Sequence, residues 1–382
     1  MRESVTQRSR VVFVINSIGT GGAERALDKI LRSPRASSHE IHLVLLDREP
    51  EARTMPDVAE RHCLEAKGSL LRSIIRLDRL VGQLKPDLLV SLLVRANAAA
   101  AVAGPRHGVP TIVCERMHLS SHLAGRYSGA RLALLRSLPR LLYPRVDRVL
   151  AVSDGVRDDL RQAFGLSEQL VETIPNGYDI AAIEAAGARS PTIALPPEYI
   201  VAVGRLVEAK RFDLLIDAYA AADPPLPLLI LGTGPEAARL EAQAERLSLG
   251  GRVRLHGFVD DPFPIVARAR FLVSASRNEG FPNAIAEAMA LGRAIVSTDC
   301  PSGPAELLGA SAGAPGEVVE APYGLIVPDG DALALERAIR RMLDPSVRER
   351  LGAAARERIE AFRIEAINAR YWALFESLLN GP

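Results

Sequence analysis

The sequence predicts an α/β protein of two doubly wound domains, each a parallel sheet covered by helices. Three observations lead there. Short apolar runs alternate with helical stretches from end to end, the rhythm of repeated strand–helix units. At 382 residues the chain exceeds what one hydrophobic core ordinarily organises. The rhythm breaks once, at "VETIPNGYDIAAIEAAGARSPTIALPPE", where Pro, Gly and Asn gather without a sustained period and mark a linker.

The elements follow in order. Before the linker the strand candidates are "RVVFVINS", "EIHLVLLD", "PDLLVSLL", "PTIVCE" and "RVLAVS". After it they are "YIVAVG", "LPLLILG", "RVRLHG", "RFLVSAS", "AIVST" and "YGLIVP". The expected domains are residues 1–182 and 183–363. The last stretch, "AINARYWALFESLLN", has the apolar spacing of a helix able to pack on either domain. Open α/β sheets bind ligands at the carboxyl ends of their strands. Two such sheets facing one another would form a cleft, a favoured ligand site.

Composition narrows the class. Nearly half the residues are hydrophobic and a quarter charged, which is globular. The net charge of +1 hides an asymmetry. Residues 1–182 hold 26 Lys/Arg against 20 Asp/Glu, and the rest hold 21 against 26. A basic first half suits anionic lipid or a phosphorylated acceptor; ordinary scatter is the plain alternative. No feature suggests nucleic acid. Cys63, Cys114 and Cys300 show no CxxC spacing, against a disulfide framework or a cysteine zinc site. "VVFVI" is too short for the apolar region of a signal peptide. "LLVSLLV" stops at Arg95, far short of a membrane span. The expectation is a cytoplasmic protein, acting at most at the inner face of a membrane.

Four stretches carry chemistry. "SIGTGGAERALDKIL" follows the first strand; Gly19, Gly21 and Gly22 permit a tight turn and present a helix start to an anion. Asp47 would serve a dinucleotide ribose, but Glu24 stands where the fingerprint needs its third glycine, so a nicotinamide reading is weak. In "VAVGRLVEAKRFDLLIDAYA", Arg205 and Lys210 follow a strand end, placed to neutralise a leaving diphosphate. "LHGFVDDP" puts Phe258 where it would border a nucleotide base. In "NEGFPNAIAEAMALG", Glu279 ends a loop and Glu287 rides the helix that starts near Pro282 or Asn283. Gly280 and Phe281 shape the turn, and the backbone of Asn283, Ala284 and Ile285 would aim N–H groups at a phosphate. Both carboxylates then read as hydrogen-bond acceptors for sugar hydroxyls, Glu287 for a ribose diol. Asp329 and Asp331, in "VPDGDALALE", read as a turn and a helix cap rather than a metal pair.

"GGAER", "VAVGRLVEAKRFDLLIDA", "NEGFPNAIAEAMALG" and "TDCPSGPAELL" together resemble, in order and spacing, the GT-B-fold retaining glycosyltransferases of family 4. The resemblance spans nearly the whole chain, and the paired-glutamate element is its most specific part. It implies transfer of a sugar from a nucleotide donor, here a UDP-hexose or UDP-N-acetylhexosamine, with retention and no metal or other cofactor. It implies that Arg205 and Lys210 hold the donor diphosphate, Glu287 the ribose and Glu279 the donor sugar or its leaving region. Gly21 and Gly22 would approach the phosphates or the acceptor. The helix in 364–382 would return to the first domain, and domain closure would exclude water. Relatives carry a sugar-contacting residue near "TIVCERMHLSSH"; Glu115, Arg116 and His118 are the candidates here, with Arg116 and His118 favoured.

Within residues 125–148, Arg126, Arg131, Arg136, Arg140, Arg145 and Arg148 are spaced among leucines. Such a stretch fits an anionic membrane surface and a lipid-linked glycan or polysaccharide precursor as acceptor; a helix packing its leucines inward is the alternative. Other functions stay open at this point: a GT-B sugar-nucleotide epimerase, which would turn over donor without acceptor, or a non-catalytic nucleotide-sugar-binding protein.

Overall fold

The computed structural model describes residues 8–19, 21–50, 54–56, 58 and 60–381. Residues 1–7 and 382 of the expected domain limits, and Thr20 of the glycine-rich turn, lie outside them. The chain divides into two compact units: residues up to Gly177 with Ile364 onward, and Tyr178–Arg363.

The first unit runs β1 (Arg10–Ile15), α1 (Gly22–Leu31), β2 (Glu40–Leu45), β3 (Glu60–Cys63), α2 (Leu70–Leu84), β4 (Leu88–Leu92), α3 (Val94–Arg106), β5 (Thr111–Glu115), α4 (Leu119–Ala124), α5 (Gly129–Leu142), β6 (Arg148–Ala151), α6 (Asp154–Gln162) and β7 (Val171–Thr173). Its sheet has the order β3-β2-β1-β4-β5-β6-β7, with every pairing parallel. β1 is buried on both faces, as the pleat requires of a strand between two helical layers. Val11, Phe13 and Ile15 enter one core, and Val12 and Val14 the other. The alanines of α3 let it lie close to the sheet; a Cβ on Gly104 would stand 1.8 Å from Thr111 Oγ1.

The second unit continues with α7 (Ile180–Gly187), β8 (Ile200–Val203), α8 (Phe212–Ala222), β9 (Leu228–Leu231), α9 (Ala237–Arg246), β10 (Val253–Gly257), α10 (Phe263–Val266), β11 (Phe271–Ser274), α11 (Asn283–Ala290), β12 (Ala294–Asp299), α12 (Pro304–Leu308), β13 (Val319–Ala321), β14 (Gly324–Pro328), α13 (Ala332–Met342) and α14 (Pro345–Arg358). Its sheet order is β10-β9-β8-β11-β12-β14-β13, parallel except for the antiparallel edge strand β13. Asp331 caps α13, its side chain accepting from Ala334 N at 2.9 Å. α15 (Ile364–Leu379) returns to the first unit. There Trp372 and Phe375 are fully buried, Phe375 lies edge-on to Phe13, and Trp372 Nε1 donates to Ile30 O.

The expected linker is more ordered than its composition suggests. It holds β7 and α7, the latter capped by Asp179. The units part after Gly177 rather than at residue 182, because Tyr178 N donates to Phe362 O and α7 packs on α10 and α11.

Candidate functional site

In each sheet the first strand has neighbours whose connections leave in opposite directions, and the loops at that switch point frame a crevice. In the second unit the switch lies between β8 and β11. The chain leaving β8 carries Gly204, exposed Arg205 and, at the end of a short 3₁₀ turn, Lys210. The chain leaving β11 carries Asn278, Glu279 and Gly280. The two loops are tied by an ion pair: Lys210 Nζ donates to Glu279 Oε1. Side-chain exposure there is 25% and 12%, so the pair is partly withdrawn from water. The Glu279 carbonyl also accepts from Ser302 Oγ at 2.5 Å. Asn278 Oδ1 is buried with no hydrogen-bond partner among the described residues, an acceptor that sequence reasoning did not single out.

Helix α11 begins directly after this loop, with Pro282 at its cap. Ile285 and Ala286 already donate to Pro282 O, and Asn283 and Ala284 precede them in the first turn. Ile285 itself is fully buried and its N–H is committed, unlike the open donor expected of it. Asn283, Ala284 and Glu287 are the half-buried positions of the first turns, and Asn283 and Glu287 share one face. Tyr178 Oη donates to Asn283 Oδ1 at 2.6 Å. Gly303, at φ +96°, lets the loop after β12 press on this start; a Cβ there would meet Pro282 Cδ at 2.5 Å.

Phe281 and Gly280 are buried, and Phe281 stacks on Tyr178 and meets Phe362 at a tilt. Its role is to anchor the turn. Phe258 is the reverse, 62% exposed just past β10. The "ILGTGPE" turn keeps glycine for packing: a Cβ on Gly232 would fall 1.9 Å from Gly204 O.

In the first unit the switch lies between β1 and β4. Gly21 caps α1 and Gly22 opens it, exposed. The Glu24 carboxylate folds back over Gly21, where a Cβ would meet Glu24 Oε2 at 2.4 Å. That acid occupies the helix start where an anion would gain most. Asp47 is equally engaged, accepting from Arg95 Nη2 at 2.5 Å and Gly68 N at 3.1 Å. Burial raises its pKa, but these donors outweigh burial and leave it lowered. A nicotinamide dinucleotide thus finds neither its glycine nor its ribose acid. Leu93, between β4 and α3, holds φ 78° and ψ 145°, a backbone region otherwise left almost wholly to glycine.

The three candidates after β5 separate clearly. Glu115 is fully buried, with Oε1 accepting from Asn97 Nδ2 at 3.0 Å and from Tyr143 Oη. Burial pushes its pKa up to about 7. Arg116 donates to Tyr371 Oη at 3.0 Å and to Asn176 Oδ1; it fastens α15 to the sheet rather than pointing at a ligand. His118 caps α4, with Nδ1 2.9 Å from Ser121 Oγ and Nε2 3.8 Å from Asp159 Oδ1. Burial lowers its pKa, against the opposing charge of Asp159. Of the three, His118 combines a partly exposed ring with a set orientation.

Helix α5 is largely exposed. Leu134 and Leu141, 63% and 61% exposed, lie two turns apart, while Leu132, Leu135, Leu138 and Leu142 of the same helix are half-buried, so α5 packs one leucine stripe inward and leaves two leucines outward. Arg126, Arg131, Arg140 and Arg145 are exposed around them. Among the described residues no helix is long and apolar enough to cross a membrane.

Comparison with known proteins gives the family and agrees with the fold. Residues 20–182 match the family described as Glycosyltransferase Family 4, and residues 197–345 that described as Glycosyl transferases group 1. The chain is 30% identical over 341 residues to the N-acetylgalactosamine-N,N'-diacetylbacillosaminyl-diphospho-undecaprenol 4-alpha-N-acetylgalactosaminyltransferase of Campylobacter jejuni, covering 86% of this chain and 89% of that one. It is 30% identical over 242 residues to the lipopolysaccharide core biosynthesis glycosyltransferase LpsE of Rhizobium meliloti, covering 62% and 67%. Its fold is similar to that of HepE of Anabaena in complex with UDP and glucose, with TM-score 0.75, 21% identity, and 97% and 100% of the chains covered. The chain therefore belongs to the group 1, family 4 glycosyltransferases of GT-B fold, and it is a glycosyl-transferring enzyme.

Proposed function

We propose that the protein moves a hexosyl or N-acetylhexosaminyl group from a UDP-sugar to a lipid-linked glycan or polysaccharide precursor, with retention of configuration. The observation that carries this reading is the Lys210–Glu279 pair at the β8/β11 switch point, beside the α11 face that bears Glu287. Lys210 and Arg205 hold the donor diphosphate and stabilise charge on it as the glycosidic bond breaks, which makes a metal unnecessary in this step. Asn283 and Ala284 add backbone N–H groups, and Glu287 accepts from the ribose diol. Glu279 orients Lys210 and reaches the sugar hydroxyls. His118 contacts the donor sugar, and the Gly21–Gly22 turn approaches donor or acceptor.

The names of the relatives support the acceptor class, one carrying a diphospho-undecaprenol glycan and another lipopolysaccharide core. The UDP in the Anabaena protein supports the base. A lipid-borne acceptor also gives the exposed leucines and arginines of α5 a purpose, as a contact with an anionic membrane surface.

A thermal-shift panel of UDP, GDP, ADP and their sugars tests the donor. UDP at a hundred times its dissociation constant should stabilise the protein by about 2.7 kcal/mol, and Glu287→Ala should lose that gain. Stabilisation by another base alone, or binding indifferent to Glu287→Ala, would overturn the assignment.

A further inference from the structure

A second constellation lies at the β3 edge of the first unit's sheet. Strands β2 and β3 pair so that His42 faces Glu60 and Val44 faces His62. Alternation then puts Glu40, His42, Glu60 and His62 on one face of the sheet. His42 Nδ1 is 3.1 Å from His62 Nε2. Glu60 Oε2 is 3.8 Å from the first nitrogen and 3.6 Å from the second.

These three distances describe a triangle, and its size is informative. Ligands about 2.0–2.1 Å from a tetrahedral Zn²⁺ stand about 3.3–3.4 Å from one another. The observed edges bracket that spacing. A hydrogen bond between the imidazoles accounts for the short edge, but not for a carboxylate oxygen nearly equidistant from both ring nitrogens. The outer contacts have the same character. His42 Nε2 is 2.8 Å from Glu40 Oε1, and Glu40 in turn accepts from Arg10 Nε at 2.8 Å. A carboxylate on the far nitrogen fixes the tautomer and turns the other lone pair toward a metal.

We propose that His42, Glu60 and His62 bind a divalent transition-metal ion of the zinc class, which clips edge strand β3 to β2. Two imidazoles and one carboxylate are the donor set such an ion prefers. The Glu60 side chain is 59% exposed, so the ion enters from solvent and water completes its shell. The clip answers a local need. β3 reads "ERHC", and its residues are exposed or half-buried, so little apolar burial holds this strand to the sheet. The role is structural and distinct from sugar transfer. The sequence hid it because the ligands come from two strands and follow no familiar spacing.

The test uses tag-free full-length protein stripped by chelator and titrated with Co²⁺. One equivalent per chain should produce the visible absorption of a tetrahedral cobalt site, and Zn²⁺ should abolish it. Zn²⁺ should also raise the melting temperature. His62→Ala, on an edge strand, should retain its far-ultraviolet circular dichroism and lose both responses. Glu40→Gln should bind roughly 10- to 100-fold more weakly. No stoichiometric cobalt spectrum in the parent protein would overturn the proposal. So would a spectrum and melting shift that persist in folded His62→Ala.

Discussion

Replacing Lys210 by alanine probes stability and turnover at once. The ammonium is paired with Glu279, whose side chain is 12% exposed. Removing it leaves a largely buried carboxylate facing no cation. Fully buried pairs broken this way lose about 3–5 kcal/mol and exposed ones about 0–1 kcal/mol, so this pair should lose about 1–3 kcal/mol. Glu279→Gln removes the charge and keeps the shape, and the double variant should be less destabilised than the sum of the singles, with a coupling of about 1–2 kcal/mol. In catalysis, losing one charge-assisted hydrogen bond to the diphosphate costs about 1.5–3 kcal/mol, a fall in kcat/KM of roughly 10- to 150-fold. Urea unfolding reads the first quantity and release of nucleoside diphosphate the second. Strictly additive stabilities would refute the ion-pair reasoning. Turnover by Lys210→Ala within about twofold of the parent would refute the diphosphate role.

Three further outcomes are expected. Burial pushes the folded Glu115 carboxyl up to about 7 from an ordinary 4.5, so its contribution to stability is full below about pH 4.5 and is lost as pH rises through about 7, a change of about 3 kcal/mol; Glu115→Gln should flatten that slope in urea unfolding at different pH values. Arg116→Ala should lower stability by about 1–3 kcal/mol through its lost bonds to Tyr371 and Asn176 while leaving turnover per folded molecule intact; a fall in kcat at unchanged stability would return it to the reacting centre. Leu134→Ser with Leu141→Ser should weaken sedimentation with anionic vesicles by about tenfold or more, since each buried leucine is worth about 1.5–3 kcal/mol; unchanged binding would remove α5 from the membrane reading.

The fold was legible where apolar runs were long. "RVVFVI" and "AIVSTD" are strands because both faces of a central parallel strand must be apolar, and that leaves a plain trace. β3, β7 and β13 were not legible, being three or four residues long and partly polar at sheet margins. The start of α11 could be read from Pro282 and Asn283, and with it the shared face of Asn283 and Glu287. Partnerships over long separations could not. Nothing local links Lys210 to Glu279, or Arg116 to Tyr371. The burial of Phe281 against Tyr178 and Phe362, and the strained backbone of Leu93, likewise arise only when distant segments meet.

The return of α15 has a consequence for synthesis on the ribosome. Trp372 and Phe375 are fully buried in the same core as Phe13, Leu27 and Leu43. That core therefore cannot be completed when residue 177 emerges, although every strand of its sheet has by then been made. It waits while Tyr178–Arg363 is translated, roughly ten seconds or more at 5–20 residues per second. During that time the second unit, whose whole sequence is contiguous, can finish first. The order in which the halves mature is then the reverse of the order in which they begin, and a nascent chain that stalls before Trp372 leaves apolar surface around Phe13 for chaperones to cover.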